Sequence, residues 1–453
     1  MSFSVYKRKE GQEQPYWPAG PFKIRLPFVH YRWEMVEFVQ ALILFVVTLA
    51  MIPLLQKYLG LPYEIALAYV FVCGIGFMMP AFLGLPLVPG WITPAIPVVL
   101  LYLSQFKPGP EAIQALVALQ LMVAAIFLIL GLTKLSSKIV KNVPASLKAG
   151  ILLGAGVAAF MGELKVGGRI PTTPIAIGIG TLICFYMLFS ASFAKLRRTS
   201  KLAGLLGKYG MVPAMVLSIV IGMIVKEYPL PDIQWGITIP AFSQMWEYLP
   251  FRVGFPTLDM FLKAIPTAVI AYIIAFGDVI VGEALVRSAA DEARQDEKVD
   301  IDADRIHLVT GLRNVLHSFF APYPGLAGPI WTAVTATVAD RYRQGRWAMD
   351  SIFSGCGTFW ISGFIALCIL PLVSFFKPFL NIGLSLTLVV TGYLCIITAF
   401  KQVKEPAALG VAGTMAIVLA MHGAAWGLGV GIVLHIFLER KLSFSKEVAT
   451  ETS

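Results

Sequence analysis

The chain has 453 residues and a formal net charge of +10. Hydrophobic residues make up 57% of it and charged residues 14%, with a mean hydropathy of +0.77; soluble domains carry roughly 25% charged residues, so a surface wetted on all sides is excluded. Apolar windows of about 20 residues, enough to cross about 30 Å of hydrocarbon, recur from Met35 to Leu438, and the chain reads as a polytopic integral membrane protein.

Residues 1–34 are polar and basic without an apolar core, so no cleavable signal peptide is expected and the segment reads as cytoplasmic. Apolar spans follow at 35–55, 62–80, 81–104, 112–133, 143–161, 172–193 and 209–226. A second series runs 258–286, 305–320, 321–339, 350–374, 380–400, 405–421 and 423–438. That is about fourteen spans, in one group of seven over 35–226 and another over 258–438, before a cytoplasmic tail at 439–453. Alternation from a cytoplasmic N-terminus puts about 26 Lys and Arg inside and 8 outside, the bias that sets orientation in membranes. The net charge is therefore assigned to cytoplasmic loops, and no nucleic-acid partner is expected. The run ADEARQDEKVDIDADR (Ala290–Arg305) reads as a solvated cytoplasmic linker.

The third span holds PGWITPAI (Pro89–Ile96) and the tenth holds PGLAGPIW (Pro324–Trp331), both PGxxxP at an offset of 235 residues. Seven is odd, so the second group starts on the opposite side of the membrane and the repeat is inverted. Paired interrupted spans of this kind point to a secondary transporter's site. Pro ends a helix before it and suits the first turn of a new one, while Gly permits the tight path between. The expected layout is an extended segment at Leu85–Val88 or Ala321–Tyr323, a turn, then a helix starting near Thr93 or Pro329. Extended backbone at membrane depth must be buried in protein or line a cavity. Two strands that pair would aim both helix N-termini at one point, which suits an anion or a carbonyl-rich ligand. The competing reading is an ordinary proline kink in each helix.

Asp278 lies well inside the eighth span, where an acid is costly and marks a functional site by default. It is the candidate for substrate binding and proton coupling; the alternative is a structural acid paired with Arg313 or Lys148, or capped by hydroxyls. Trp91 and Trp331 are candidates for an aromatic wall, or for ordinary packing. Thr93, Thr332 and Thr335 offer hydroxyls, or back-bond to their helices. Gly90, Gly328 and Pro329 complete the candidate binding set at the helix starts, and Gln40 is read as a polar lining residue or as hydrogen-bonding glue. Arg313 and Asn314 suit packing or pairing within the bundle. Cys73, Cys184, Cys356, Cys368 and Cys395 lie in apolar spans without metal-ligand spacing, so no metal or cofactor is expected. An intramembrane enzyme finds no support, since no HExxH or nucleophile–base spacing occurs; a non-transporting scaffold or sensor is the other class.

These segments carry a resemblance. PAFLGLPLVPGWITPAIPVVLLYL (Pro80–Leu103) and GLRNVLHSFFAPYPGLAGPIWTAVTATVADR (Gly311–Arg341) resemble the strand-plus-half-helix spans of the uracil/xanthine permease (nucleobase–cation symporter) family and of the related sulfate permease family. NVPASLKAGILLGAGVAAF (Asn142–Phe160) is similar to their fifth span. AYIIAFGDVIVGEALVR (Ala271–Arg287) is similar to the eighth, where the family carries an acid at the position of Asp278. The nucleobase signature [QEP]-N-x-G-x4-T is met at Pro329 and Thr337, but Ile330 and Thr332 replace its Asn and Gly, and the second substrate carboxylate is absent.

The resemblance implies an all-α polytopic fold of two inverted seven-span repeats, with half-helix spans 3 and 10 each preceded by a short β-strand. It implies a core domain of spans 1–4 and 8–11 and a gate domain of spans 5–7 and 12–14. The implied function is a proton- or sodium-coupled symporter of a small planar or anionic organic solute, nucleobase-like, working by alternating access. The alternative is a sulfate- or carboxylate-type anion transporter lacking the soluble regulatory domain. A bacterial inner membrane location, both termini cytoplasmic, and a homodimer complete the expectation.

Overall fold

Each expected span folds as helix, and the breaks fall where Pro and Gly put them. The computed structural model describes residues 8–135, 143–208 and 211–439. The expected cytoplasmic tail, apart from Glu439, and residues 1–7 of the N-terminal segment lie outside the described residues. The first repeat contains α1 (Met35–Leu44), α2 (Tyr63–Phe82), α3 (Ile96–Leu103), α4 (Pro110–Thr133), α5 (Ala145–Leu164), α6 (Pro174–Phe189) and α7 (Val212–Ile224). The second contains α8 (Leu258–Ala293), α9 (Ala303–Phe320), α10 (Thr332–Tyr342), α11 (Ile352–Cys368), α12 (Leu380–Gln402), α13 (Pro406–His422) and α14 (Ala424–Leu438). Among the described residues, five helical stretches are by themselves long and apolar enough to cross a membrane, including α2, α4 and α8. Others are broken: α1 continues through Val46–Leu49 and Ile52–Leu59, the latter with Pro53 in its first turn. The α2 window is 78% buried, as expected of a helix that is apolar all round and packed on every side.

Packing follows the repeat. α1 lies on α11 and, seven places on, α8 lies on α4; α2 meets α11 as α9 meets α4. α5 meets α13 as α12 meets α6, and α13 meets α14 as α6 meets α7. The pairs α2–α9 and α5–α12 map onto themselves, as pairs at a pseudo-twofold axis must. Two inverted repeats therefore intertwine, and the helices sort into two packed groups. One group has α1, α2, α4 and α8–α11; the other has α5–α7 and α12–α14.

Two strands, β3 (Gly90–Trp91) and β4 (Ala327–Gly328), cross where the half-helices begin. They pair antiparallel, Gly90 opposite Gly328 and Trp91 opposite Ala327. The expected strands at Leu85–Val88 and Ala321–Tyr323 are thus displaced into the PGxxxP motifs themselves. The reason is steric. A Cβ on Gly328 would sit 2.5 Å from the Trp91 carbonyl carbon, and one on Gly90 would sit 2.9 Å from the Ile330 oxygen, so only glycines let the chains cross here. The second helix also starts later than Pro329. Trp331 N–H donates across to the Val88 carbonyl at 2.6 Å, which holds Trp331 extended as the N-cap of α10.

The N-terminal segment and the acidic run depart from the sequence reading. Strands β1 (Trp17–Ala19) and β2 (Phe22–Ile24) form a hairpin that packs on the loop after α8. That loop is no solvated linker: Arg294 and Glu297 are buried. Arg8 pairs with Asp296 at 2.7 Å and Glu297 at 3.2 Å, while Lys23 and Arg305 share Asp300 at 2.6 and 2.8 Å. Tyr342 and Ser351 donate to Glu297 at 2.8 and 2.6 Å. Opposite charges spaced along the run let it fold onto the basic N-terminal segment, which a reading of local composition alone misses.

Burial works against the Asp300 charge, but hydrogen bonds from Lys23 and Arg305 outweigh it and hold the carboxyl at about 2. That lies below the ordinary carboxylate value of about 4. Its stabilisation is therefore present at neutral pH and is lost as pH falls through the interval between the two values. Asp300→Asn should lower the melting temperature of the detergent-purified protein at neutral pH, with the gap to wild type closing on acidification from about pH 4. A gap that stays constant into that range would remove the ion pairs from the account. At the crossing, Gly328→Ala should cost about 1–3 kcal/mol by overpacking. Gly410→Ala in α13, where nothing lies within 4 Å, should be neutral or stabilise by about 0.5–1 kcal/mol. Equal unfolding midpoints for the two variants would contradict the steric account.

Candidate functional site

The crossing leaves extended backbone deep in the protein, and each polar group there has to find a partner. Side chains of the first helix group supply them. Arg313 of α9 donates to the Gly328 carbonyl at 2.7 Å and to the Gly90 carbonyl at 3.3 Å, clamping the two residues that face each other in the strand pair. Asn314 closes a two-way bond with Ala327, donating to its carbonyl and accepting from its N–H, each at 2.9 Å. Gln120 of α4 accepts from Tyr323 N–H at 3.3 Å, and Trp360 of α11 donates to the Pro89 carbonyl at 3.0 Å. Thr335 accepts from Val88 N–H at 3.1 Å. The site is therefore positioned by α4, α9 and α11 and does not depend on the strands alone.

A cavity of about 770 Å³ opens in front of the crossing, between the two helix groups. Gly90, Trp91 and Thr93 line it from the first half-helix and Trp331 and Thr332 from the second. Asp278 lines it from α8. Gly328 and Pro329 are not in the lining, since they stand in the crossing behind it. Gln40 is buried in α1 and does not reach the cavity wall either. The wall behind the half-helices is aromatic: Phe77 and Trp360 stack at 4.2 Å, and Trp331 approaches Trp360 at 6.1 Å between ring centroids.

The second helix group forms the facing wall, and most of it escaped the sequence reading. Lys148, in the first turn of α5, lines the cavity, as do Thr387, Thr391, Thr398 and Gln402 of α12. The signal for α12 was present. Those four residues are spaced four, seven and four apart, which puts them on one helical face in an otherwise apolar span. Asp278 and Lys148 each have no ion pair or hydrogen bond among the described residues. Among the described residues neither alternative pairing of Asp278, with Arg313 or with Lys148, is formed; Arg313 is committed to the strand carbonyls. The arrangement offers two helix starts, an ammonium and hydroxyls to a negative group, and a carboxylate to a donor.

No family model matches the chain, and no curated protein matches it. Among solved structures, the transmembrane domain of a cyanobacterium bicarbonate transporter, BicA, aligns with a TM-score of 0.54 at 15% identity, covering 87% of this chain and 96% of that one. The overall structure of SLC26A9 aligns with a TM-score of 0.55 at 15% identity, covering 90% of this chain and 65% of that one. The murine Solute Carrier 26 family member A9 anion transporter in the inward-facing state gives 0.51 at 14% identity, covering 90% of this chain and 68% of that one. The chain spans about two thirds of the length of these two solute carrier chains. It has the multi-pass, inverted-repeat transmembrane fold of these proteins.

Proposed function

We propose that the chain is a secondary active transporter that carries a small anion by alternating access. The observation that carries this reading is the cavity itself. It lies where two half-helices start, at a crossing of inverted repeats, and between two separately packed helix groups. Anions are favoured at helix starts by free N–H groups and by the helix dipole. In this reading the group with α1, α2, α4 and α8–α11, together with the half-helix α3, is the core, and the group with α5–α7 and α12–α14 is the gate that rocks against it. The fold neighbours, one a bicarbonate transporter and another an anion transporter, support an anion over a nucleobase. So does the missing second carboxylate of the nucleobase signature. Asp278, which lines the cavity and has no ion pair or hydrogen bond among the described residues, supports coupling to a proton or a sodium ion; among the described residues the other charged group lining that cavity is Lys148. The excess of Lys and Arg in the expected inside loops supports cytoplasmic termini; a bacterial inner membrane is the proposed location.

Uptake into proteoliposomes tests this. Bicarbonate, sulfate and small carboxylates are offered under imposed proton and sodium gradients. At least one should enter saturably and faster with a gradient than without. Asp278→Asn should remove the gradient dependence and slow coupled uptake roughly tenfold, the scale of one lost charge-assisted interaction. Uptake that remains fully gradient-dependent in that variant would refute the coupling role. No uptake of any solute, with no ligand raising the melting temperature, would favour a non-transporting scaffold or sensor, since a ligand of the folded state must stabilise it.

A further inference from the structure

We propose that the substrate is amphoteric: an organic acid that also bears a protonated nitrogen, its acid group meeting Lys148 and its nitrogen meeting Asp278. This rests on the alternating-access transporter reading and departs from its simple-anion substrate in one respect: the acid carried also bears a compensating positive charge.

Three features of the cavity converge on it. The first is charge. Asp278 on α8 and Lys148 on α5 line the same cavity, and neither has a partner among the described residues. An unpaired charge at membrane depth is costly, and such groups face cavities and pair. A simple anion would satisfy Lys148 and the helix starts but would leave the Asp278 carboxylate of the same cavity uncompensated. A simple cation would satisfy Asp278 and be opposed by Lys148 and by both helix dipoles. A ligand with both charges completes both residues at once.

The second feature is size. About 770 Å³ falls within the few hundred to about 1,000 Å³ that enclose drug-sized organic ligands, well beyond what one inorganic oxyanion fills. The third is the wall. Trp91, Trp331, Phe77 and Trp360 line the cavity on the half-helix side, an apolar face for the body that joins the two charged ends. The two charges also stand on opposite helix groups. A ligand that holds both draws α5 toward α8, whereas a ligand with one charge binds one wall and leaves the other unsatisfied. The amphoteric ligand therefore gains its differential affinity in the closed arrangement, which is what a ligand needs to shift a conformational equilibrium.

The test is a charge-matched ligand set on the purified protein, read by quenching of tryptophan fluorescence and by melting temperature. The probes are 3- and 4-(aminomethyl)benzoate, which carry both charges at two reaches, benzoate, benzylamine and sulfate. At least one zwitterion should bind roughly tenfold or more tightly than benzoate, benzylamine or sulfate. Lys148→Gln should reduce it to the level of benzylamine, and Asp278→Asn to the level of benzoate. A merely structural role for either residue would weaken all five probes together, and unliganded melts of both variants check that the fold is kept. Benzoate or sulfate binding as tightly as the zwitterions would overturn the proposal while leaving the anion-transporter reading intact. If none of the probes binds and no anion is taken up, both fail.

Discussion

The fold depends on one crossing. Two chain segments pass each other at Gly90 and Gly328 with no room for a Cβ on either, and a single guanidinium ties both carbonyls together. Arg313 is fully buried and has no carboxylate partner among the described residues. Its charge is balanced by carbonyl dipoles from two strands and by the face of Phe77, 5.1 Å away. Hydrogen bonds to a charged group are worth about 1.5–3 kcal/mol each, so the clamp outweighs the small contribution of a two-residue sheet. Without it the extended backbone would hold unpaired polar groups at membrane depth, and the half-helices would lose the fixed point that starts them.

The inverted repeat makes that crossing necessary. A continuous third and tenth span would fill the centre with two apolar helices and leave nothing to bind a polar solute. Interrupting both at the same serial position empties the centre and aims two helix starts into it. Of the helices that satisfy the crossing, α4 packs on α9, and α9 and α11 both pack on α2. Half of the cavity is consequently rigid by construction. Its other half is carried on α5 and α12, whose main neighbours are α6, α13 and each other.

What the sequence made legible follows from which interactions are local. The broken spans are local, because Pro and Gly act on the backbone where they stand, and PGxxxP located the crossing to within a few residues. The strand register is not local. It is set by where two chains from opposite repeats touch, so it slid from Leu85–Val88 to Gly90–Trp91 and from Ala321–Tyr323 to Ala327–Gly328. Asp278 was visible because an acid in an apolar span has few ordinary explanations. Lys148 was not recognised as lining because it sits in the first turn of its helix, where a lysine reads as interfacial. The threonine face of α12 needed its four, seven, four spacing counted. The ionic cluster of Arg8, Lys23, Asp296, Glu297 and Asp300 joins residues almost three hundred positions apart, and no window of sequence holds both sides of it.

The same division bears on how binding and movement are linked in the proposed transport cycle. A solute that touches only the crossing meets a wall backed by side chains tied to the strand backbone, as Trp360 is to Pro89 and, behind the lining, Thr335 is to Val88. That wall cannot rearrange without exposing backbone donors and acceptors, so it has little to gain or lose between states. Lys148 and the α12 threonines sit on the other group, and they change their distance to the crossing whenever the groups move as bodies. Selectivity expressed through α5 and α12 is therefore selectivity between conformations, while affinity expressed at the half-helix starts is nearly the same in each. A ligand with equal affinity for two states shifts nothing. Conformational work in this fold consequently has to come from the wall that the broken helices do not form.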